Sequence, residues 1–316
     1  RQYVSDNSAL PLTVEAVMQG RLDRLPLVQR EILRAASVLG RSFWESGVAA
    51  LLGIATIKSA TLESLESMGM ITTEVSVLPG QRQWCFNHGL HHEMSYSGIE
   101  KRTRSAWHGR AALWWSELVK NEGGGRYRGR GEMRGFCVGQ YSREIARHFS
   151  GAQDHERAAV SWIASARESD ADGDFAETRS RLEQALVEIH AAPQELPQEE
   201  RAWVEMRLSS LMSGAGELDS ALELVDASIS HTPDTNFEAW SHRLNHRVHV
   251  LNVSGRKDEA RETVALALER LSEKEEAVEH SVLIWFQLWE QQLGLLDSNS
   301  DADLKEGIES VRRLVS

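Results

Sequence analysis

Histidines and one cysteine offer the first chemistry in this chain. Cys85, His88, His91 and His92 crowd together, and the three histidines fall at i, i+3 and i+4, which puts metal-ligating nitrogens on one helical face. A polar helix face has the same spacing, so no metal is expected there. His242, His246 and His249 make a second stripe, read as a pH-sensitive or ligand-facing surface. Glu199 with Glu200, and Glu275 with Glu276, read as solvated helix charges, not as a general acid/base pair.

Other chemistry is missing. No G-x-x-x-x-G-K-[ST] loop occurs, so the chain has no such cradle for a triphosphate. A kinase signature set and a G-x-S-x-G elbow are also absent. No convergent nucleophile, base or metal set can be read, and an enzyme in its own right is the least favoured class. Residues 123–139 hold seven Gly with Arg126, Arg128, Arg130 and Arg134, and read as a mobile loop rather than an RNA contact.

The elements that carry these residues are mostly helical. Thr13 can cap a helix with Val14, Val17, Met18, Leu22 and Leu25 on one face, and Pro26 restarts the chain. Ile32, Leu33, Ala36 and Val38 make the next stripe, closed by Gly40. Short helices follow over 45–52 and 59–68. The period then changes: Met70–Val77 is β-rich, Pro79-Gly80 signals a turn, and Gln83–Phe86 is strand-like again. Helix resumes over 88–99 and 103–120. Helices followed by a β-hairpin make a winged-helix pattern.

From about residue 140 the chain is helical and repeats. Aligning Gly173, Gly216 and Gly255 brings Thr178, Ala221 and Ala260 into register. The same alignment matches Leu182, Val225 and Val264, then Ala185, Ser228 and Ala267, then Leu186, Ile229 and Leu268. Small residues let two helices approach, and branched apolar ones fill between them. Trp162, Trp203 and Trp240 each precede a glycine, and Trp285 begins a fourth unit whose second helix would follow Ser300. The repeat tryptophans read first as wedges between helix pairs and second as an aromatic groove. Glycine spacings of 43 and 39 residues mean a helix pair per unit and a solenoid.

Bulk properties agree with this division. The 316 residues are 41% hydrophobic and 26% charged, enough for two domains with real cores. Residues 1–150 carry 19 Lys and Arg against 14 Asp and Glu, a net +5; residues 151–316 carry 16 against 33, a net −17. The acidic half should repel nucleic acid and anionic membrane. Two cysteines, Cys85 and Cys137, fit a reducing compartment, and no apolar run reaches the ~18 residues of a membrane span. A cytoplasmic protein without a membrane partner is expected. The first residue is Arg1, so a processed product or an excised piece of a longer chain is also expected.

Two stretches carry a family resemblance. Residues 10–53, with "LESLESMGMI" (62–71) and "WCFNHGLHHEMSYSGI" (84–99), resemble the end of the nucleotide-binding module and the winged helix of STAND signal-transduction ATPases. The closest flavour is bacterial regulators fused to kinases or cyclases. "SGAGELDSALELVDASISHTPD" (213–234) looks like a tetratricopeptide unit, with Gly216, Leu218, Ala221 and Pro233 at the family's offsets. The longer period is similar to the maltose-regulator branch of the same ATPases. The resemblance implies that the winged-helix histidine touching the β-phosphate of ADP is His88, within "FNHGLHHEM". Asn87 and Gly89 depart from the Met and Asp of that motif. It also implies an ATP-binding core upstream or on another polypeptide, with ATP or ADP held there and no cofactor on this chain.

The expected fold is therefore mainly α: a winged-helix domain followed by an α-solenoid of tetratricopeptide-like helix pairs. Residues 1–100 form the winged helix with the end of the nucleotide module, 101–150 a helical linker with the Gly/Arg loop, and 151–316 the repeats. The expected function is a non-catalytic sensor segment of a STAND-type ATPase. His88 reports nucleotide, and Trp203, Trp240, His242, His246 and His249 receive an unknown protein or small-molecule inducer. One alternative is a free-standing helical-repeat scaffold. A weaker one is a DNA-binding regulator, which Glu63 and Glu66 on the presumed recognition helix disfavour because carboxylates repel phosphate.

Overall fold

Residues 12–121, 138–192, 196–233, 235–272 and 280–295 are described by a computed structural model of the chain. The Gly/Arg-rich stretch up to Cys137, Glu275 with Glu276, and the helix expected after Ser300 lie outside them. The protein is mainly α-helical and divides into two compact units, Arg1–Ser165 and Ala166–Ser316.

In unit 1, helices α1 (Leu12–Asp23) and α2 (Leu27–Leu39) lead into strand β1 (Ser42–Trp44). Helices α3 (Glu45–Leu52) and α4 (Ser59–Ser67) precede a hairpin of β2 (Ile71–Glu74) and β3 (Gln83–Phe86). Then come α5 (Gly89–Ser97), α6 (Lys101–Asn121) and α7 (Val138–Ala152). The hairpin forms where the period changes. Strand β1, by contrast, is three residues long and too short to show alternation. It pairs antiparallel with β3, Phe43 opposite Trp84, so the sheet order is β1-β3-β2 with β3 central and all four of its residues buried.

That placement packs large rings. Phe43 sits 5.5 Å from Phe86, and Trp44 lies edge-on to Trp115 at 5.2 Å. Trp107, Trp114 and Trp115 of α6 and Tyr141 of α7 belong to the same core as Leu33, Leu51 and Leu65. Helices α6 and α7, inside the stretch read as a linker, are therefore core elements of unit 1. Glu66 of α4 accepts hydrogen bonds from the Thr73 amide (3.1 Å) and hydroxyl (3.0 Å), which ties α4 to β2.

Helix α8 (His155–Ala171) runs across the boundary between the units. Unit 2 continues with α9 (Phe175–Ala191), α10 (Gln198–Gly214), α11 (Leu218–Ser230), α12 (Phe237–Val253), α13 (Lys257–Ser272) and α14 (His280–Leu295). Consecutive helices from α9 to α14 pack on one another, which is a solenoid of helix pairs. The glycines that set the repeat register occupy its turns: Gly173, Gly216 and Gly255 have φ of +77°, +84° and +77°, and space around each is open. Backbone conformation selects glycine there, not packing. After each glycine the aligned small and branched residues are buried in all three units, from Thr178, Ala221 and Ala260 to Ala185, Ser228 and Ala267.

Candidate functional site

In unit 2, one face of α12 meets one face of α14. His242, His246 and His249 lie at i, i+4 and i+7, within about 60° of one another around a 3.6-residue helix. Trp285 and Trp289, at i and i+4 on α14, turn to the same side. These five residues, with Asn245, Leu288, Gln292 and Met206 of α10, line a cleft of about 550 Å³. Among the described residues, no Asp, Glu, Lys or Arg lines it.

The rings contact in sequence. His242 meets Trp285 edge-on at 4.9 Å, His249 lies 6.4 Å from Trp289, and His246 stacks near His249 at 6.4 Å. The Trp289 indole donates to Asn245 Oδ1 at 2.8 Å, which holds α14 against α12. The tautomer of His246 follows from its partner. Ser209 spends its only hydrogen on the Ala221 carbonyl (2.6 Å), so the 3.1 Å contact with His246 must be donated by His246 Nε2–H. Burial, aided by His249, lowers the His246 pKa to about 4 against the Ser209 contact that raises it. His246 is thus neutral at pH 7, with Nδ1 left as an acceptor. The His246 acceptor, the imidazole and indole faces and the Met206 thioether suit a flat aromatic group: a small molecule or an aromatic side chain of a partner.

Other sequence-selected residues lie elsewhere. Trp203 and Trp240 are not among the lining residues. The Trp203 ring is half-buried under the Arg167 guanidinium at 4.5 Å. Trp240 is buried, with Phe237 stacked on it at 5.2 Å and Arg270 at 4.6 Å, and serves as a wedge in the core. His88 is exposed at the N-cap of α5 and makes no side-chain capping bond. His91, one turn on, is buried with Nε2 3.1 Å from Met18 Sδ, and His92 Nε2 donates to the Ser37 carbonyl at 3.0 Å. Cys85 is buried in the sheet, and among the described residues no group of histidine, cysteine and carboxylate side chains has the arrangement to hold a metal ion. Sequence reasoning missed Trp289 and Asn245. The i, i+4 tryptophan pair on an apolar helix was the available signal.

No protein-family model matches the chain, and neither does any curated protein. Among solved structures it is similar to the nearly identical TPR-like repeats of a kinesin light chain protein from Podosopora anserina, at 14% identity and a TM-score of 0.44, over 69% of this chain and 96% of that one. A substituted form of the same repeats gives the same identity and score. The chain is also similar to a STAND protein with a tetratricopeptide repeat sensor from Pyrococcus horikoshii, at 12% identity and a TM-score of 0.36. That similarity covers 97% of this chain and 47% of the Pyrococcus protein.

Proposed function

We propose that this chain is a non-catalytic sensor segment of a STAND-type ATPase. Its helical repeats receive a protein or small-molecule signal in the α10/α12/α14 cleft, and its first unit, a winged helix, couples that event to an ATPase core upstream or in trans. One observation supports the reading above the rest: three histidines selected from sequence spacing converge with two tryptophans in one aromatic cleft. A helical-repeat solenoid is suited to binding, because each helix pair adds surface to one continuous face. His88 is accessible at a helix N-terminus, where a histidine can donate to a phosphate and the helix field assists. The switch is two-state: ADP favours closed packing of winged helix on core, and inducer binding favours release.

The test loads the ATPase core together with this chain, as encoded, with fluorescent ADP and compares release from wild type and His88→Ala. Faster release in the variant is expected. An unchanged rate removes the nucleotide role and leaves the free-standing scaffold, which the same cleft supports. For that reading, wild-type chain should retain a partner on an affinity column that the exposed-face variant His249→Glu loses.

A further inference from the structure

A second cleft lies wholly inside unit 1, and His88 does not line it. It encloses about 400 Å³ between the α2–β1 junction, α5 and α7, with Trp44 and Trp115 among its walls. Among the described residues, Arg41, Arg143 and Arg147 line it against a single carboxylate, Glu144. Arg147 is already engaged: Nε and Nη2 hold Glu144 at 3.0 and 2.8 Å, and Nη2 lies 3.2 Å from the Leu39 carbonyl. The Arg41 side chain is exposed and has no hydrogen bond or ion pair among the described residues. The cleft is thus cationic beside an indole surface.

Behind it runs a chain of polar contacts linking α7, α6 and α5, with two buried histidines at its centre. Arg147 Nη2 lies 3.1 Å from His148 Nε2, His148 Nδ1 lies 3.0 Å from His108 Nδ1, and His108 Nε2 lies 2.9 Å from the Tyr96 hydroxyl. Gly151 permits the helix approach, since a Cβ there would fall 2.7 Å from the His108 ring. Burial lowers the His108 pKa to about 4 and holds His148 well below its ordinary value, with Arg147 adding to both, so the two rings are neutral.

Neutral rings force the sense of the chain. A guanidinium nitrogen has no lone pair to offer, so the His148 Nε2 facing it is the bare acceptor. His148 then carries its proton on Nδ1 and donates to His108 Nδ1. His108 in turn carries its proton on Nε2 and donates to Tyr96. The phenol, having accepted, keeps its own O–H for something else, and Tyr96 lines the cleft. Next to it His92, whose Nε2–H is spent on Ser37, keeps Nδ1 as an acceptor.

We propose that this cleft binds a small molecule carrying an oxyanion on a flat apolar body. Arg41 supplies the charge partner, Tyr96 the directed O–H donor, and Trp44 with Trp115 the apolar wall. A guanidinium and a phenol aimed at one oxyanion give charge-assisted hydrogen bonds, while the indoles take the ring. Phosphate and carboxylate share this chemistry.

The full chain is titrated with phenyl phosphate, benzoate and phenol, and binding is followed by tryptophan emission and by calorimetry. At least one of the two oxyanions should bind in the millimolar range or tighter, a realistic figure for so few atoms, with phenol about tenfold weaker or more. The tighter of the two oxyanions names the group the cleft takes. Arg41→Gln should weaken that binding about tenfold with an unchanged thermal midpoint, and Tyr96→Phe several-fold with a lower one, because the buried His108 Nε2–H loses its acceptor. Arg41→Lys should restore part of the loss, and Lys58→Gln, an exposed cation that lines neither cleft, should change nothing. Binding of neither oxyanion at about 10 mM overturns the proposal. Phenol competing with the bound oxyanion as tightly as either oxyanion does, or Arg41→Gln binding like wild type, also overturns it.

Discussion

The two units bury their apolar surface by opposite means. Unit 1 gathers large rings from distant segments: Phe43, Trp84 and Phe86 from the sheet meet Leu33 of α2, and Trp44 meets Trp115 of α6. No period relates these positions. Unit 2 buries small and branched residues at fixed offsets after a glycine turn, with Ala221, Val225 and Ser228 answered by Ala260, Val264 and Ala267. A core of rings loses much when one ring is removed, because neighbours on several elements cannot close the gap together. A seam of alanines is sensitive in the other direction, to added volume. The histidines divide likewise: unit 1 buries His108 and His148 as a linked pair, whereas unit 2 exposes His242 and His249 on a cleft.

The largest effect should come from ring removal. Phe43→Ala is expected to cost about 3–5 kcal/mol, whereas Ala221→Leu in the seam should cost about 1–3 kcal/mol. Hydrogen exchange resolved by peptide checks the contrast. The first change should speed exchange in α2, α3 and the sheet, the second in α10 and α11. Loss of protection in both regions from either change would break the comparison.

Acid should separate the units next. Above pH 6.5 neither fold gains or loses from its buried histidines. Below it the unfolded chain takes up protons that His108 refuses until about pH 4, so stability falls as the pH drops through that window. His108 alone accounts for on the order of 3 kcal/mol, and His148, shifted in the same direction, adds to it. In unit 2, His246 is shifted in the same way, without a buried histidine partner. Exchange protection in α6 and α7 should therefore fall before that in α10 and α12 between pH 6.5 and 4. The reverse order, or none, would mean that the buried pair is not held neutral.

The smallest effect concerns a turn. Gly216→Ala forces a side chain into the φ of +84° and should cost about 1 kcal/mol, lowering the unfolding midpoint of unit 2 without touching unit 1. A cost near zero would show that the solenoid turn does not depend on that conformation.

Legibility followed the range of the contacts. Helix faces, the hairpin around Gly80 and the glycine register of the repeats could be read, because each rests on a period or a turn within a few dozen residues. Strand β1 was missed since three residues show no alternation, and its strand identity comes from pairing with β3 some forty residues later. In the α12/α14 cleft the histidine stripe was legible and its tryptophan wall was not. Trp203 and Trp240 look alike in the repeat, yet they end beneath Arg167 and inside the core respectively.

The sequence by itself determined a mainly α chain, a change of period near residue 70, a solenoid phased on Gly173, Gly216 and Gly255, and a histidine face on α12. Tertiary structure alone decided that Trp285 and Trp289 complete that face. It also decided that His91 stays in ring contact with His88 while reaching Met18, that His92 turns to Ser37, and that Tyr96, His108 and His148 form one directed chain. The reason is physical. Backbone period and turn conformation are local free energies that neighbouring residues set. Tautomer, ring contact and cleft shape depend on groups that meet only when helices far apart in the chain have packed.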